Sequence, residues 1–130
     1  ATRVATEVDG FAVACDVADL AAAEAAFERI TAQYPQGLSA AINCAGIAPA
    51  KRMVGKEGPM PLDWFDHVIR VNLIGSFNIM RLAAANMIQH SKKDGAEYGV
   101  IINTASVAAF EGQIGQTAYS ASKGGVVAMT

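Results

Sequence analysis

The chain has 130 residues, of which 52% are hydrophobic and 17% are charged, and its formal net charge is -2. This length is typical of one domain with a single core, and this composition is typical of a folded α/β protein rather than a disordered one. The small net charge, without a basic run, argues against nucleic acid or an anionic membrane surface as a partner. Polar residues interrupt the apolar runs before they reach membrane-spanning length, which argues against a transmembrane segment.

The first third of the chain predicts alternating helices and strands. Residues 2–8 are typical of the tail of a helix, and the apolar run Phe11–Cys15 is typical of a strand. Residues Leu38–Ile42 predict the next strand, so this part forms a strand–helix–strand unit. The helix between the two strands is predicted to stop near Pro35, and its apolar residues recur every three or four positions: Leu20, Ala23, Phe27, Ile30 and Tyr34.

The rest of the chain predicts a loop, a long helix and another strand. The loop, residues 47–61, contains three prolines and two glycines, and a helical stretch follows over residues 62–89. We expect a break or bulge near Asn72, because asparagine has a low helix propensity. Residues 91–98 predict a charged surface loop, and the β-branched run Val100–Ile102 predicts a buried strand.

The cysteines and histidines exclude some classes of site. Cys15 and Cys44 each follow a strand-like run, so we expect both to be reduced and buried in a cytoplasmic protein. Neither His67 nor His90 has a second ligand-type residue at metal spacing, so we predict no metal site. The sequence shows no signal or transit peptide.

Residues 99–130 carry the most chemistry. Ser106 follows the predicted strand Val100–Ile102, and Tyr119 and Lys123 lie four residues apart, one turn apart on the same face of a helix. Ligands of open α/β sheets bind outside the carboxyl ends of the strands. A tyrosine hydroxyl has an ordinary pKa of about 10, and a nearby ammonium favours its phenolate form. With Ser106 holding a substrate oxygen, this set suits taking a proton from an alcohol or returning it to a ketone.

Two other interpretations of this stretch are open. A Tyr-x-x-x-Lys pair also occurs on ordinary helix faces. Residues 120–123 fit the S-x-x-K nucleophile motif of penicillin-binding acyl-transfer enzymes, but that signature requires S-D-N and K-T-G, and neither occurs in the chain.

Residues 103–125, NTASVAAFEGQIGQTAYSASKGG, resemble the short-chain dehydrogenase/reductase family, whose catalytic triad matches Ser106, Tyr119 and Lys123. Within that family they most resemble the type II 3-hydroxyacyl-CoA dehydrogenases, also described as 17β-hydroxysteroid dehydrogenases. The resemblance covers essentially the whole chain, which corresponds to about the middle half of the family's usual length. It implies an α/β fold with a Rossmann-type doubly wound parallel sheet, incomplete here, with strands 3, 4 and 5 and their helices.

The resemblance implies contacts with a dinucleotide. Asp16 resembles the family's aspartate that accepts a hydrogen bond from the adenine amino group, and Val17 would contribute its backbone. The alternative is that Asp16 caps the helix that follows. The family has an Asn-Asn-Ala-Gly motif that lies against the adenosine ribose. The matching residues here are Asn43, Cys44, Ala45 and Gly46, with cysteine at the second position. An ordinary strand-ending turn is the alternative for that segment.

The resemblance also implies roles in catalysis. Tyr119 would be the general acid/base, Lys123 would favour its phenolate and hold the nicotinamide ribose, and Ser106 would orient the substrate oxygen. Asn72 matches the fourth catalytic residue, where a kink would free a carbonyl to hold a water near Lys123. A solvent-facing asparagine is the alternative.

The implied function is hydride transfer between NAD and a 3-hydroxyacyl-CoA, or a hydroxysteroid, in fatty acid metabolism, with NADP not excluded. A 3-oxoacyl thioester reductase that uses NADPH is one alternative, and a non-catalytic protein that acts by subunit association is another. The helices at 62–89 and 118–130 would form the interfaces of a homotetramer. A loop with Lys51, Arg52 and Lys56 would hold the phosphates of coenzyme A, or is simply solvated.

The resemblance makes residues 1–130 the central part of a single dinucleotide-binding domain. The glycine-rich turn that binds the pyrophosphate, the residue that distinguishes NAD from NADP and the substrate lid have no match in the sequence. Strand 3 would lack its neighbours and strand 4 would have an open edge. We therefore expect the isolated segment to be inactive and marginally stable.

Overall fold

The computed structural model describes residues 1–90 and 97–130. The described residues form five α-helices and four strands, and a π-helical turn (Arg70–Ile74) and a 3₁₀ turn (Val107–Ala109) supplement them. The helices are α1 (Thr2–Glu7), α2 (Leu20–Gln33), α3 (Leu62–Ile69), α4 (Gly75–His90) and α5 (Thr117–Met129), and the strands are β1 (Ala40–Asn43), β2 (Val54–Gly55), β3 (Gly58–Pro59) and β4 (Val100–Asn103).

The central sheet is a parallel pair, β1 and β4, joined by the helical segment α3–α4. Ala40 lies opposite Val100, and Asn43 lies opposite Asn103 at the carboxyl ends. The Asn43 amide donates to Asn103 Oδ1 over 2.8 Å, so the two strand ends are also tied by side chains. The α/β class with a parallel sheet is confirmed.

The prediction of a strand at Phe11–Cys15 is wrong. Among the described residues only β1 and β4 form the parallel sheet, and Phe11–Cys15 pairs with neither. A strand requires a neighbour for its ladder of hydrogen bonds, and an apolar run cannot supply that neighbour. The parallel sheet described here therefore contains the counterparts of strands 4 and 5 but not of strand 3.

The prediction that Val100–Ile102 is buried is also wrong. Val100 is 50% exposed and Ile102 is 48% exposed, and Ile42 beside them on β1 is 62% exposed. The opposite face lies against α4, because Asn43 and Asn103 on that face contact α4 side chains or backbone. One face of the sheet is thus covered and the other is open within the described residues.

Helix α2 matches its prediction closely. Asp19 caps its first turn, since its carboxylate accepts a hydrogen bond from the amide of Ala22 over 2.7 Å. The helix ends at Gln33, two residues before Pro35. Its buried residues are Ala23 and Ala26, which lets the helix pack closely against α4.

The predicted break near Asn72 is confirmed as the π-helical turn between α3 and α4. The stretch Leu62–His90 is long and apolar enough to cross a membrane by length and composition alone. It is not a convincing span, because it packs against the sheet, α2 and α5 and buries Asn72, Asn78 and Asn86.

The loop predicted at residues 47–61 contains a short antiparallel hairpin, β2–β3, which was not predicted from the sequence. Two-residue strands are too short to show an alternating pattern. Part of the surface loop predicted at residues 91–98, residues 91–96, lies outside the described residues.

The prediction of two buried cysteines is wrong. Both thiols are free, but Cys44 is exposed and Cys15 is only half-buried. Cys44 lies beyond the end of β1, and Cys15 lies in a segment that pairs with no described strand, so neither has a covering layer.

Candidate active site at the carboxyl ends of the parallel strands

The site lies where β1 and β4 end. Because the strands are parallel and in register, the chain leaves both at the same edge of the sheet, and the amide of Thr104 donates to the carbonyl of Asn43 over 3.1 Å. The Lys123 ammonium donates to the carbonyl of Thr104. Although α5 begins well beyond β4 in the chain, it therefore places Lys123 at the strand ends.

Tyr119 and Lys123 lie one turn apart on α5, as predicted. The Lys123 nitrogen is 5.8 Å from the centroid of the Tyr119 ring, and the lysine is only 6% exposed. Tyr119 is half-buried. A charged lysine with this little solvent requires partners, and its bond to Thr104 leaves two N–H groups for other acceptors.

Ser106 begins the 3₁₀ turn directly after β4. Its hydroxyl accepts a hydrogen bond from the amide of Ala108 over 3.2 Å, which leaves its own O–H free to donate. This turn packs against α5, so Ser106 lies at the same end of the sheet as Tyr119 and Lys123.

Asn72 is fully buried, so a solvent-facing asparagine is excluded. Its amide oxygen accepts from the amide of Ile47 over 2.8 Å, and its amide nitrogen donates to the carbonyl of Ile47 over 2.9 Å. The same nitrogen donates to Ser122 Oγ over 3.0 Å, and Ser122 donates to the carbonyl of Tyr119 over 2.7 Å. Asn72 thus connects the loop after β1 with the tyrosine helix.

The backbone carbonyl of Asn72 accepts a hydrogen bond from Ser76 Oγ over 2.7 Å. The predicted kink is present, and this carbonyl already has one partner inside the helix.

The turn after β1 is compact and open to a ligand. Cys44, Ala45 and Gly46 are exposed, while Asn43 is buried. A Cβ added at Gly46 would lie 3.3 Å from the amide oxygen of Asn72 and 3.8 Å from the Lys123 nitrogen. Small residues beside an ammonium with spare N–H groups fit a bulky ligand that carries hydroxyl acceptors, such as a ribose.

Asp16 does not cap α2, since Asp19 does. Its carboxylate accepts from the amide of Ala18 over 2.9 Å and its carbonyl accepts from the amide of Asp19 over 3.1 Å, which forms a tight turn before the helix. Asp16 is exposed and Val17 is half-buried. The cap interpretation of Asp16 is therefore wrong, and its carboxylate is accessible to a ligand.

Two buried polar residues that build this region, Ser122 and Asn78, were not predicted from the sequence. Ser122 is fully buried, and its hydroxyl accepts a hydrogen bond from Asn72 and donates one to the carbonyl of Tyr119. Asn78 is also buried, and its amide nitrogen donates to the carbonyl of Val17 over 2.9 Å. Polar residues on the inner face of a helix, away from its ends, were the available signal.

A parallel sheet with a helix packed on one face and polar groups gathered at the carboxyl ends of its strands is typical of Rossmann-type α/β proteins. The family model described as short chain dehydrogenase matches residues 2–130, and the chain belongs to that family.

Three similar proteins illustrate the relationship. The 3-hydroxyacyl-CoA dehydrogenase type-2 of Bos taurus is 59% identical over 92 residues, which are 69% of this chain and 35% of the relative. The (3R)-3-hydroxyacyl-CoA dehydrogenase of Homo sapiens is 34% identical over 115 residues, which are 88% of this chain and 41% of the relative. The crystal structure of 3-hydroxyacyl-CoA dehydrogenase type-2 from Mycobacterium avium has a TM-score of 0.80 at 35% identity, covering 91% of this chain and 46% of that one. The chain therefore spans less than half the length of these relatives.

Proposed function

We propose that residues 1–130 are the central part of one dehydrogenase domain that oxidises the secondary alcohol of a 3-hydroxyacyl-CoA, or reduces the corresponding ketone. A relative named 3-hydroxyacyl-CoA dehydrogenase type-2, 59% identical over 92 residues, supports the substrate class. A hydroxysteroid is a second substrate class in this proposal. The observation that carries it is the buried Lys123 ammonium, which lies between the two strand ends one helical turn from Tyr119.

In the oxidation, the phenolate of Tyr119 takes the alcohol proton while the Ser106 hydroxyl donates to the same substrate oxygen. A nicotinamide cofactor held at this site would supply the acceptor for the hydride of the substrate carbon. The electron pair of the broken O–H bond forms the C=O bond, and Tyr119 ends as a neutral phenol. In the reduction Tyr119 returns its proton to the ketone oxygen. The spare N–H groups of Lys123 would hold the nicotinamide ribose.

Asn72 and its neighbours would complete the relay. The backbone carbonyl of Asn72 would hold a water that accepts a proton from Lys123. The side chain of Asn72 fixes the position of the Tyr119 helix through Ser122, which makes it a positioning group as well.

The remaining cofactor contacts would come from the strand ends and from the turn before α2. The exposed carboxylate of Asp16 would accept from the adenine amino group beside the Val17 backbone. The adenosine ribose would lie against the turn formed by Asn43, Cys44, Ala45 and Gly46. We propose NAD as the cofactor, the cytoplasm as the location and fatty acid metabolism as the role.

The hairpin β2–β3 supports an acyl-CoA substrate. A cleft of about 360 Å³ at this hairpin is lined by Lys51, Arg52 and Lys56, with one carboxylate, Glu57. The amide of Lys51 donates to the carbonyl of Gly115 over 2.8 Å, so the hairpin is tied to the loop that leads into α5. Three cations beside that loop suit the phosphates of coenzyme A.

We also propose a homotetramer formed through the helices at 62–89 and 118–130. These helices leave large apolar side chains exposed, among them Leu62 (81%), Phe77 (55%) and Val127 (37%). Contiguous apolar surface marks interaction sites, and we propose that these side chains belong to one.

The test is turnover by the complete domain, meaning this segment joined to the amino- and carboxyl-terminal parts that we propose. We expect oxidation of a 3-hydroxyacyl-CoA with NAD, a weaker rate with a hydroxysteroid and little rate with NADP. A preference for NADPH and a 3-oxoacyl thioester would support the reductase instead. Assembly without turnover on any of these substrates would support a non-catalytic protein and contradict the proposal.

A further inference from the structure

Asn78 is a buried asparagine of α4 that faces the turn before α2. Its amide nitrogen donates to the carbonyl of Val17 over 2.9 Å and to that of Asp19 over 3.4 Å. Its amide oxygen accepts from Arg81 Nε over 2.9 Å, and Arg81 pairs with Glu24 of α2 at 3.3 Å. Since Arg81 occupies the oxygen, the NH₂ group is directed at the turn, and the amide cannot flip without losing all of these bonds.

The same helix contacts the turn without any intervening space. A Cβ added at Gly75 would lie 2.6 Å from Cγ2 of Val17, closer than real side chains approach. Gly75 and Asn78 lie three residues apart, so they share one face of α4. This face therefore fixes Val17 by contact and by a hydrogen bond.

The position of Val17 determines the position of Asp16. The Asp16 carboxylate is bonded to the amide of Ala18 and its carbonyl to the amide of Asp19, so residues 16–19 move as one unit. We propose that Asn78 is a positioning residue for recognition of the adenine ring, since it holds the Val17 backbone and, through it, the Asp16 carboxylate. This inference depends on the proposed cofactor contacts of Asp16 and Val17.

A merely structural role of Asn78 and a positioning role differ in their effect on the preference for adenine over hypoxanthine in the bound dinucleotide. Nicotinamide hypoxanthine dinucleotide carries a carbonyl where NAD carries the adenine amino group. A carboxylate that accepts from the amino group disfavours that carbonyl, and a hydrogen bond to a charged group corresponds to roughly a 10- to 100-fold preference. Loss of stability alone does not change this ratio of dissociation constants.

The experiment measures dissociation constants of NAD and of the hypoxanthine analogue in the complete domain. We expect Asn78→Leu to reduce the preference for NAD to within about threefold. Asn86→Leu is the matched control: Asn86 is also 7% exposed on α4, and it bonds to the amide of Leu38 and to Thr31 of α2, away from the turn. The control is expected to lose stability and keep the preference.

Two further variants separate the possible failures. Asp16→Asn is expected to abolish the preference, and if it does not, the proposed adenine contact itself is wrong. If Asp16→Asn abolishes the preference and Asn78→Leu retains it, only the role of Asn78 is wrong. Should Asn78→Leu fail to fold, Asn78→Asp keeps the size of the side chain and its bond to Arg81 but removes the NH₂ donor, and an unchanged preference in that variant would overturn the inference.

Discussion

The amide of Asn72 donates to Ser122 Oγ over 3.0 Å, which joins the π-helical turn to the helix that carries Tyr119. Gly125 lies on the same side of α5, where an added Cβ would be 2.8 Å from Cδ2 of Leu73. The helix therefore packs closely on the turn, and its distance from the strand ends is set by buried contacts rather than by the exposed loop before it.

Removal of the Asn72 amide is expected to destabilise the protein by about 2–4 kcal/mol, because Asn72→Leu leaves the amide and the carbonyl of Ile47 without their partner. Ser122→Ala removes one hydrogen-bonding hydroxyl and is expected to cost about 1 kcal/mol. Urea unfolding of the complete domain measures both. Ser120→Ala is the matched control, because Ser120 Oγ is buried without a partner among the described residues. An equal decrease in the free energy of unfolding for Ser120→Ala and Asn72→Leu would contradict this account.

Gly37 is expected to resist substitution. It has a φ of +80°, and an added Cβ would lie 2.4 Å from Cβ of His90. Gly37→Ala therefore imposes both backbone strain and a clash, and we expect a loss of about 2–4 kcal/mol in urea unfolding. Gly112→Ala serves as the control, since an added Cβ there meets no described atom within 4 Å. A Gly37→Ala variant as stable as Gly112→Ala would contradict the close contact described between Gly37 and His90.

The Cys15 thiol is expected to react slowly at neutral pH. Burial raises its pKa, and the carboxylates of Asp16 and Asp19 raise it further. A raised pKa means less thiolate at a given pH, so alkylation by iodoacetamide should accelerate at higher pH than in an unfolded peptide. Mass spectrometry of a Cys44→Ser variant measures the rate at Cys15 alone. Asp16→Asn should move the onset to lower pH, and an onset at or below that of the peptide would contradict the stated cause.

The isolated segment of residues 1–130 is not expected to bind a nicotinamide cofactor with micromolar affinity. Ile42, Val100 and Ile102 present an uncovered apolar sheet face in the described structure, so the segment should also bind the dye ANS and tend to associate. Titration with NAD and with ANS tests this. Micromolar affinity for NAD would contradict it.

Features that depend only on residues close together in the chain could be predicted from the sequence. The kink at Asn72 follows from the poor fit of asparagine in a helix, and the placement of Tyr119 and Lys123 follows from helical spacing. The sequence did not predict the loss of the strand at Phe11–Cys15, because strand pairing depends on distant neighbours. It also did not reveal Ser122 as the partner of Asn72, because that contact joins residues fifty positions apart.

The central claim is that Tyr119 exchanges the proton with the substrate. The most direct measurement is the rate of hydride transfer in the complete domain with NAD and a 3-hydroxyacyl-CoA, for Tyr119→Phe and for Tyr98→Phe, an exposed tyrosine before β4. We predict that Tyr119→Phe lowers this rate by about 10²- to 10⁴-fold while Tyr98→Phe stays within about threefold of the unaltered protein. A Tyr119→Phe variant that transfers hydride as fast as the Tyr98→Phe variant would contradict the account.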